Sequence, residues 1–324
     1  MPEYIILKGV LLMSRYVIKR VLLLIPIFFI VSVFLFLLIQ IAPGDPVTSI
    51  TGGARTSPEV IANIKAKYHL DEPLYLQYWY WLRGVLQGDF GDSYKFNQSV
   101  ISLVGERIGV TFQMVGMSMV IGILLSIPLG ILAAVKKNTV FDYIASFLSV
   151  MTMSSPVFFT GLLLMLLLSF KLNLFPSFGA GKTFAENLRY LFIPSLAMGL
   201  NMVAMNMRIL KSSMLEALSS NYVQTAIAKG LSRKKIIFIH ALKNSIIPYI
   251  TMSGIEIGTL IGYGAVIEQM FGIGGLGSLL IKGVLTSDFP VIQGATLFIV
   301  MFFLIINLVV DVLCAAIDPR IQLR

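Results

Sequence analysis

Apolar residues are grouped into long, nearly uninterrupted runs along the chain, and polar residues collect between these runs. A helix needs about 20 apolar residues to cross a hydrocarbon core of about 30 Å. Six runs meet this requirement, and the predicted spans are Val21–Ile41, Val110–Val135, Ile144–Leu168, Leu191–Met207, Ile246–Ile267 and Val291–Leu313. The pattern therefore predicts an all-α integral membrane protein with six transmembrane helices.

The composition agrees with this prediction. Of the 324 residues, 57% are hydrophobic and 13% are charged, whereas soluble domains have about 45–50% apolar and about 25% charged residues. This excludes a disordered chain and an ordinary soluble enzyme. The first run is too long for the apolar core of a signal peptide, so we expect it to be a membrane anchor. Residues 1–12 precede a second possible start at Met13.

The net charge of +9 indicates the orientation of the chain in the membrane, because Lys and Arg concentrate in cytoplasmic loops. If the N-terminus is cytoplasmic, the inner segments hold fifteen Lys and Arg residues, and the two short outer loops hold four. The sequence therefore predicts cytoplasmic N- and C-termini. It also predicts how the chain is divided. Residues 1–41 form the N-terminal tail and first helix, and residues 42–109 form an extracytoplasmic segment. Residues 110–315 form a transmembrane core that contains a cytoplasmic loop at 208–245, and residues 316–324 form a cytoplasmic C-terminal tail.

The extracytoplasmic segment contains two predicted helices. Ser57 is expected to cap a helix that begins at Pro58, and a second helix is expected over Leu74–Leu86. The second helix is rich in Tyr and Trp, which suits either a membrane interface or helix packing. Farther along the chain, the Gly-rich stretch Glu268–Pro290 predicts a short re-entrant or capping segment.

The cytoplasmic loop has the composition of a pair of surface helices. One helix is expected over Ser212–Lys229 and to end at Gly230, and Ser232 is expected to cap the next helix. Arg233, Lys234 and Lys235 then occupy its first turn, where the helix dipole disfavours cations. Anionic lipid headgroups, an acidic partner surface and the general enrichment of positive charge on the inner side are all open explanations.

Two segments resemble nucleotide-binding motifs without their context. Gly181-Lys182-Thr183 has Pro176 where a phosphate loop needs glycine, and no strand precedes Gly272-x-Gly274-x-x-Gly277. The two histidines, His69 and His240, lie outside the predicted spans. This arrangement disfavours a membrane enzyme, because a buried catalytic or metal site lacks its base or ligand set.

Glu256 is the one acidic residue well inside a predicted span, and charges there usually face protein or water. The residues Gly254, Gly258 and Gly262 form a stripe that is expected to pack against another helix. Glu256 lies nearly opposite, so its face is predicted to line a passage; an ion pair at a subunit contact is the alternative. The predicted path residues are Glu256, Tyr249, Met252, Tyr263, Ser149, Met153 and Asn206. Pro156 is expected to kink the third span.

Several motifs resemble one family of transport proteins. Tyr222-Val-Gln-Thr-Ala226-x-Ala228-Lys229-Gly230-Leu231-Ser232 resembles the "EAA" coupling loop of ABC importer membrane subunits. Further motifs in the same order are Ala42-Pro-Gly-Asp-Pro46, Leu70-Asp-x-Pro73, Gln77-Tyr78, Trp81-Leu82, Gly88-Asp-x-Gly91-x-Ser93 and Asp318-Pro-Arg320. Together they are similar to the B-type permease of dipeptide, oligopeptide and nickel importers, over nearly the whole chain. Gln224 and Thr225 depart from the general loop, which has Glu and Ala there.

The resemblance implies a type I ABC importer permease fold in the cytoplasmic membrane of a bacterium or archaeon. It implies a second homologous permease subunit as a heterodimer partner, two ATP-binding subunits and an extracytoplasmic substrate-binding protein, with no nucleic acid involved. ATP and Mg would be bound by the partner ATPase subunits, with no cofactor or metal in this chain. The implied ATPase-coupling residues are Tyr222, Gln224, Thr225, Ala226, Ala228, Lys229, Gly230, Leu231 and Ser232.

The expected function is therefore half of an ATP-driven path for peptides across the membrane. A nickel or metal-chelate permease of the same family is an alternative, and an ion-coupled secondary carrier that uses Glu256 is another.

Overall fold

The computed structural model describes residues 2–41, 46–51, 57–67 and 69–317. Their regular structure is helical, with an antiparallel bridge between Asp92 and Ser99. The helices are α1 (Pro2–Ile41), α2 (Pro46–Thr51), α3 (Pro58–Lys67), α4 (Leu74–Leu86), α5 (Val100–Val135), α6 (Val140–Ser154), α7 (Val157–Leu164), α8 (Phe184–Tyr190), α9 (Phe192–Ser219), α10 (Asn221–Ala228), α11 (Arg233–Lys235), α12 (Leu242–Met270), α13 (Leu276–Thr286) and α14 (Phe289–Ile317). Two π-helical stretches, Met165–Lys171 and Ile236–Ala241, continue α7 and lead into α12.

Four helical stretches in the described part of the chain are long and apolar enough to cross a membrane unaided: Val17–Leu38, Val100–Val135, Arg233–Met270 and Phe289–Val312. Two further candidates are bent pairs of helices. The α6 helix meets α7 and its π-helical continuation at 110°, and α8 meets α9 at 62°. The candidate spans therefore number four to six. If each bent pair is counted as one span, the number is six, which is the number that the sequence predicts.

The predicted third span, Ile144–Leu168, is broken rather than merely kinked. The α6 helix ends at Ser154, and α7 begins at Val157. Ser155 between them is extended, with φ −90° and ψ 132°, because a following proline disfavours the helical conformation. Pro156 also lacks the N–H that would continue the helix. The expected kink is therefore corrected to a sharp break.

The helices α3 and α4 form where the sequence predicts the two helices of the extracytoplasmic segment. The Ser57 hydroxyl accepts a hydrogen bond from the Val60 N–H at 3.4 Å, as expected of a residue that caps α3. The α4 helix contacts α1 through the Tyr78 and Ser32 hydroxyls, which are 2.9 Å apart. On other faces of α4, Tyr75 and Trp79 are exposed. Aromatic residues of this helix thus serve in packing and also remain available to an interface.

The predicted cytoplasmic helix Ser212–Lys229 is two helices. The α9 helix ends at Ser219, Ser220 is extended with ψ 154°, and α10 begins at Asn221. The Ser220 hydroxyl donates to the Ala217 carbonyl at 2.5 Å. The side chain thereby competes with backbone N–H groups for a carbonyl that a continuing helix would use. Gly230 follows the end of α10 with φ +75°, as the sequence predicts, and Ser232 directly precedes α11.

The central core lies where α5, α9 and α12 pack together. Met114, Met198 and Met202 are fully buried there with Ile257 and Leu260, so these methionines fill the core. On another side, α12 packs against α14 through glycines. A Cβ on Gly254 would lie 2.5 Å from Val310 Cγ1, and one on Gly258 would lie 2.5 Å from Phe303 Cε2, whereas one on Gly262 would meet nothing within 4 Å. The first two glycines thus permit close helix contact.

Residues 42–45 of the Ala42–Pro46 turn lie outside the described residues. The Asp318-Pro-Arg320 motif and the end of the predicted C-terminal tail, residues 318–324, also lie outside them.

Candidate translocation cavity and coupling surface

A cavity of about 510 Å³ opens beside the break between α6 and α7. Its walls come from this break, from α9 and from the middle and end of α12. The lining residues are Met153, Ser154, Ser155, Pro156, Val157, Phe158, Asn201, Met205, Glu256, Thr259, Tyr263, Val266 and Ile267. The cavity therefore combines an interrupted helix with a few polar side chains on an otherwise apolar surface.

Glu256 is the one charged side chain on the described wall of this cavity. The Thr259 hydroxyl donates to the Glu256 backbone carbonyl at 2.6 Å and lies 3.3 Å from the side-chain Oε2. Among the described residues, no Lys or Arg forms an ion pair with it. The side chain is partly exposed, so its carboxylate faces the open space of the cavity.

Three of the seven predicted path residues line the cavity: Met153, Glu256 and Tyr263. Tyr249 does not line it, because its hydroxyl lies 2.8 Å from the Ser126 hydroxyl on α5 and the residue is buried. Met252 is also absent from the lining. A role of these residues in transport stays a prediction.

The other two predicted residues are buried beside the cavity wall. The Ser149 hydroxyl donates to the Ala145 carbonyl of its own helix at 2.9 Å. Asn206 is fully buried, and its side-chain oxygen and nitrogen have no hydrogen-bond partner among the described residues. Neither side chain reaches the cavity in this conformation.

Several lining residues were missed from the sequence. On α9, Asn201 and Met205 face the cavity one helical turn apart, and on α12, Thr259 lies one turn after Glu256. Helical spacing alone supplies a signal for Thr259, since residues i and i+3 share a face. The segment Ser154–Phe158 reaches the cavity because the helix is broken at Pro156. The sequence predicted only a kink at this proline.

A buried carboxylate holds the C-terminal end of α12. Glu268 Oε1 accepts a hydrogen bond from the Thr111 hydroxyl at 2.6 Å, and Oε2 accepts one from the Ser278 N–H at 2.8 Å. The Thr111 hydroxyl in turn accepts from the Leu276 N–H at 2.8 Å. The carboxylate thereby caps the first turn of α13, where a helix favours negative charge, and it joins α5, α12 and α13.

A second buried carboxylate attaches the extracytoplasmic segment. Asp288, just before α14, accepts hydrogen bonds from the Ser93 hydroxyl and from the N–H groups of Tyr94 and Lys95, the latter two at 3.2 Å. This carboxylate fixes the turn that precedes α5 against the start of α14.

An ion pair joins the first part of the broken span to α9. Lys211 Nζ contacts the buried Asp142 carboxylate and donates to the Ser146 hydroxyl at 3.2 Å. The Asn138 N–H donates to the other carboxylate oxygen at 3.1 Å. These contacts hold α6 against the helix that forms the opposite wall of the cavity.

The implied coupling residues lie on the short helix α10 and in the turn that follows it, within the loop that the sequence predicts to be cytoplasmic. Val223 and Ala226 of α10 pack on Ile236, and Leu231 packs against this cluster. The remaining implied residues are exposed: Tyr222, Gln224, Thr225, Ala228, Lys229, Gly230 and Ser232. A groove of about 380 Å³ beside them is lined by Ile227 and Arg233 among others. The structure thus attaches α10 by one face and leaves the other open.

This architecture is that of an all-α integral membrane protein with a cavity among its helices and an exposed hairpin of short helices between α9 and α12. The chain belongs to the family of inner membrane components of binding-protein-dependent transport systems. The family model matches residues 126–323, and the model for the N-terminal part of such membrane components matches residues 13–115. The chain is thus an ABC importer permease subunit without an ATPase site of its own, as the sequence predicts.

The chain aligns over nearly its whole length with the following relatives. The glutathione transport system permease protein GsiC of Salmonella typhimurium (strain LT2) is 38% identical over 312 residues, which cover 96% of this chain and 100% of the relative. GsiC of Escherichia coli (strain K12) has the same identity and coverage.

A solved structure confirms the fold class. The MetNI methionine ABC transporter, in inward facing conformations, matches with a TM-score of 0.56 and 17% identity, over 67% of this chain and 96% of that chain. Family membership implies a complex with ATPase and binding-protein partners. The orientation of the termini stays a prediction.

Proposed function

We propose that this chain forms half of the path by which an ATP-driven importer moves peptides across the cytoplasmic membrane. Its partners are a second homologous permease, two ATP-binding subunits and an extracytoplasmic substrate-binding protein. The observation that carries the peptide assignment is the 38% identity over the full length of permeases named for glutathione transport. Glutathione is a tripeptide, so the proposal places this chain among carriers of small peptides.

The size and position of the cavity support this proposal. Pockets of about 300–1,000 Å³ accept small molecules, and this cavity of about 510 Å³ is in that range. Transport proteins commonly build substrate sites at interrupted helices, where free backbone groups face a cavity. Here the interruption at Ser155 and Pro156 lies on the cavity wall. The second permease would supply the facing wall.

The cytoplasmic hairpin supports coupling to the ATPase subunits. The α10 helix is held to the core through Val223 and Ala226, and its exposed face carries Gln224 and Thr225. A short helix that is anchored on one side and free on the other can dock into a groove of a partner and transmit its movement to α9 and α12. We assign the exposed face of α10 to this contact.

Photo-crosslinking of the assembled complex tests the docking surface. A photoreactive residue at Gln224 should crosslink to an ATPase subunit, and one at Val284, which is exposed on α13, should not. The matched position controls for general reactivity of exposed sites. Failure of ATPase subunits to co-purify, or equal crosslinking at both positions, would contradict the proposed coupling.

Uptake by proteoliposomes that contain the complex and its binding protein tests the substrate class. Labelled di- and tripeptides should accumulate, and unlabelled peptides should compete with them. If nickel or a nickel chelate accumulates and peptides neither accumulate nor compete, the metal-permease alternative is correct.

A further inference from the structure

We infer that Glu256 binds the ammonium group of the substrate, so that the cavity selects peptides with a free amino terminus. This inference rests on the proposed function, because it takes the cavity to be part of the peptide path. It assigns a specificity-determining contact to one side chain of α12.

The first argument is the charge balance of the cavity. Glu256 is its one charged side chain among the described lining residues, and no cation of the described chain is paired with it. A carboxylate on a largely apolar wall is less well solvated than one in water, and a cation that binds there offsets this cost. An anion at the same place would be repelled.

The second argument is the free hydrogen-bonding capacity of the carboxylate. The Thr259 hydroxyl lies 3.3 Å from Oε2, but its one proton is also shared with the Glu256 backbone carbonyl at 2.6 Å, and Oε1 accepts no hydrogen bond from the described residues. An ammonium group carries three donors, and it would form a charge-assisted hydrogen bond with the open oxygen. The geometry of Glu256 therefore leaves room for such a donor.

The third argument concerns the kind of cation. A single carboxylate is too few ligands for a divalent metal, which takes about four or more. The rest of the wall is apolar at Phe158 and Val266, among others, and its polar side chains are all neutral: Ser154, Ser155, Asn201, Thr259 and Tyr263. An organic ammonium with apolar or amide substituents, as in a peptide, suits this lining.

Thiol modification measures the preference directly, without transport. Cys314 is the one cysteine of the chain, so Cys314→Ala with Thr259→Cys gives this chain a single thiol, one turn from Glu256, and the complex with Cys314→Ala alone supplies the background rate from thiols of the other subunits. Cationic and anionic methanethiosulfonate reagents of similar size are compared by their reaction rates. Adding Glu256→Gln should lower the cationic-to-anionic rate ratio by at least about tenfold, because the carboxylate lies within roughly 6 Å of the thiol.

Glu106→Gln is the matched control, since it removes the same charge from an exposed position outside the cavity, where Glu106 pairs with Arg107. It should leave the rate ratio unchanged. A ratio that Glu256→Gln does not change would overturn the inference.

Transport supplies the second readout. In proteoliposomes at saturating loaded binding protein, Glu256→Gln should lower uptake of a dipeptide about tenfold and leave uptake of its desamino analogue unchanged. Glu256→Asp should retain more dipeptide uptake than Glu256→Gln. Equal losses for both substrates would make Glu256 a structural residue and overturn the inference. Absence of any ATP-dependent peptide uptake by the unmodified complex would instead contradict the proposed function, and the thiol measurement would still report on Glu256.

Discussion

Substitution of Gly230 tests whether the turn after α10 transmits force between the ATPase subunits and the membrane helices. Gly230 has φ +75°, its N–H donates to the Ile227 carbonyl at 2.9 Å, and the Leu231 N–H donates to the Ala226 carbonyl at 3.2 Å. A Cβ at Gly230 would meet nothing within 4 Å, so Gly230→Ala adds backbone strain without a clash. A left-handed L-residue costs about 1–2 kcal/mol, which lowers the population of this turn by roughly 5- to 30-fold.

Gly230→Pro is more severe, because proline fixes φ near −65° and removes the N–H that bonds to Ile227. Gly230→Asn is the matched control, since asparagine tolerates the left-handed region. The assay is the ratio of peptide transported to ATP hydrolysed in proteoliposomes, and we expect the order Gly, Asn, Ala, Pro from highest to lowest. A normal ratio in Gly230→Pro would refute the assignment of this turn to coupling.

Three further predictions test the packing that frames the cavity. Gly258→Ala should destabilise the complex by about 1–3 kcal/mol, because the added methyl group overpacks the contact with α14. Gly262→Ala should be neutral or stabilise by up to about 1 kcal/mol, because the space around Gly262 is open. Thermal unfolding in detergent compares the two variants. Lys211→Met should destabilise the complex by about 3 kcal/mol or more, because it leaves the buried Asp142 carboxylate unpaired. In a double-mutant cycle, Asp142→Asn in the same chain should recover part of this lost stability. Glu268→Ala should destabilise the complex by about 3 kcal/mol, because the Thr111 hydroxyl and the Ser278 N–H lose their acceptor. It should also speed hydrogen exchange of the α13 amides. Unchanged exchange would contradict the capping role of Glu268.

Features with local causes could be predicted from the sequence. The apolar runs predicted the helices that are long enough to cross a membrane, four to six in the described residues, because span length depends on the thickness of the bilayer. The α3 and α4 helices begin at or just after prolines that suit a first turn, and α10 is followed by a glycine that takes a positive φ. In each case the residues that determine the element lie within it or next to it.

The cavity was predicted only in part, because one helix face has different neighbours along its length. Tyr249 and Tyr263 lie on nearly the same side of α12 at 100° per residue. The first is covered by Ser126 of α5, and the second faces the cavity. Helical spacing identifies a face, but the packing of other helices determines which part of that face remains open.

The buried acids were missed for a related reason. Glu268 and Asp288 lie near the ends of the Gly-rich stretch Glu268–Pro290, for which the sequence predicts a re-entrant or capping segment but no partners for these carboxylates. Their partners are distant in the chain: Thr111 lies 157 residues from Glu268, and Ser93 lies 195 residues from Asp288. Only the fold brings these groups together.

The most direct test of the central claim is the ATP requirement of uptake by the purified complex in proteoliposomes. We expect peptide to accumulate only when ATP is present on the side of the ATPase subunits, and a complex with hydrolysis-deficient ATPase subunits to accumulate none. Uptake by this chain without ATPase subunits, abolished by an uncoupler, would contradict the account and would identify an ion-coupled carrier.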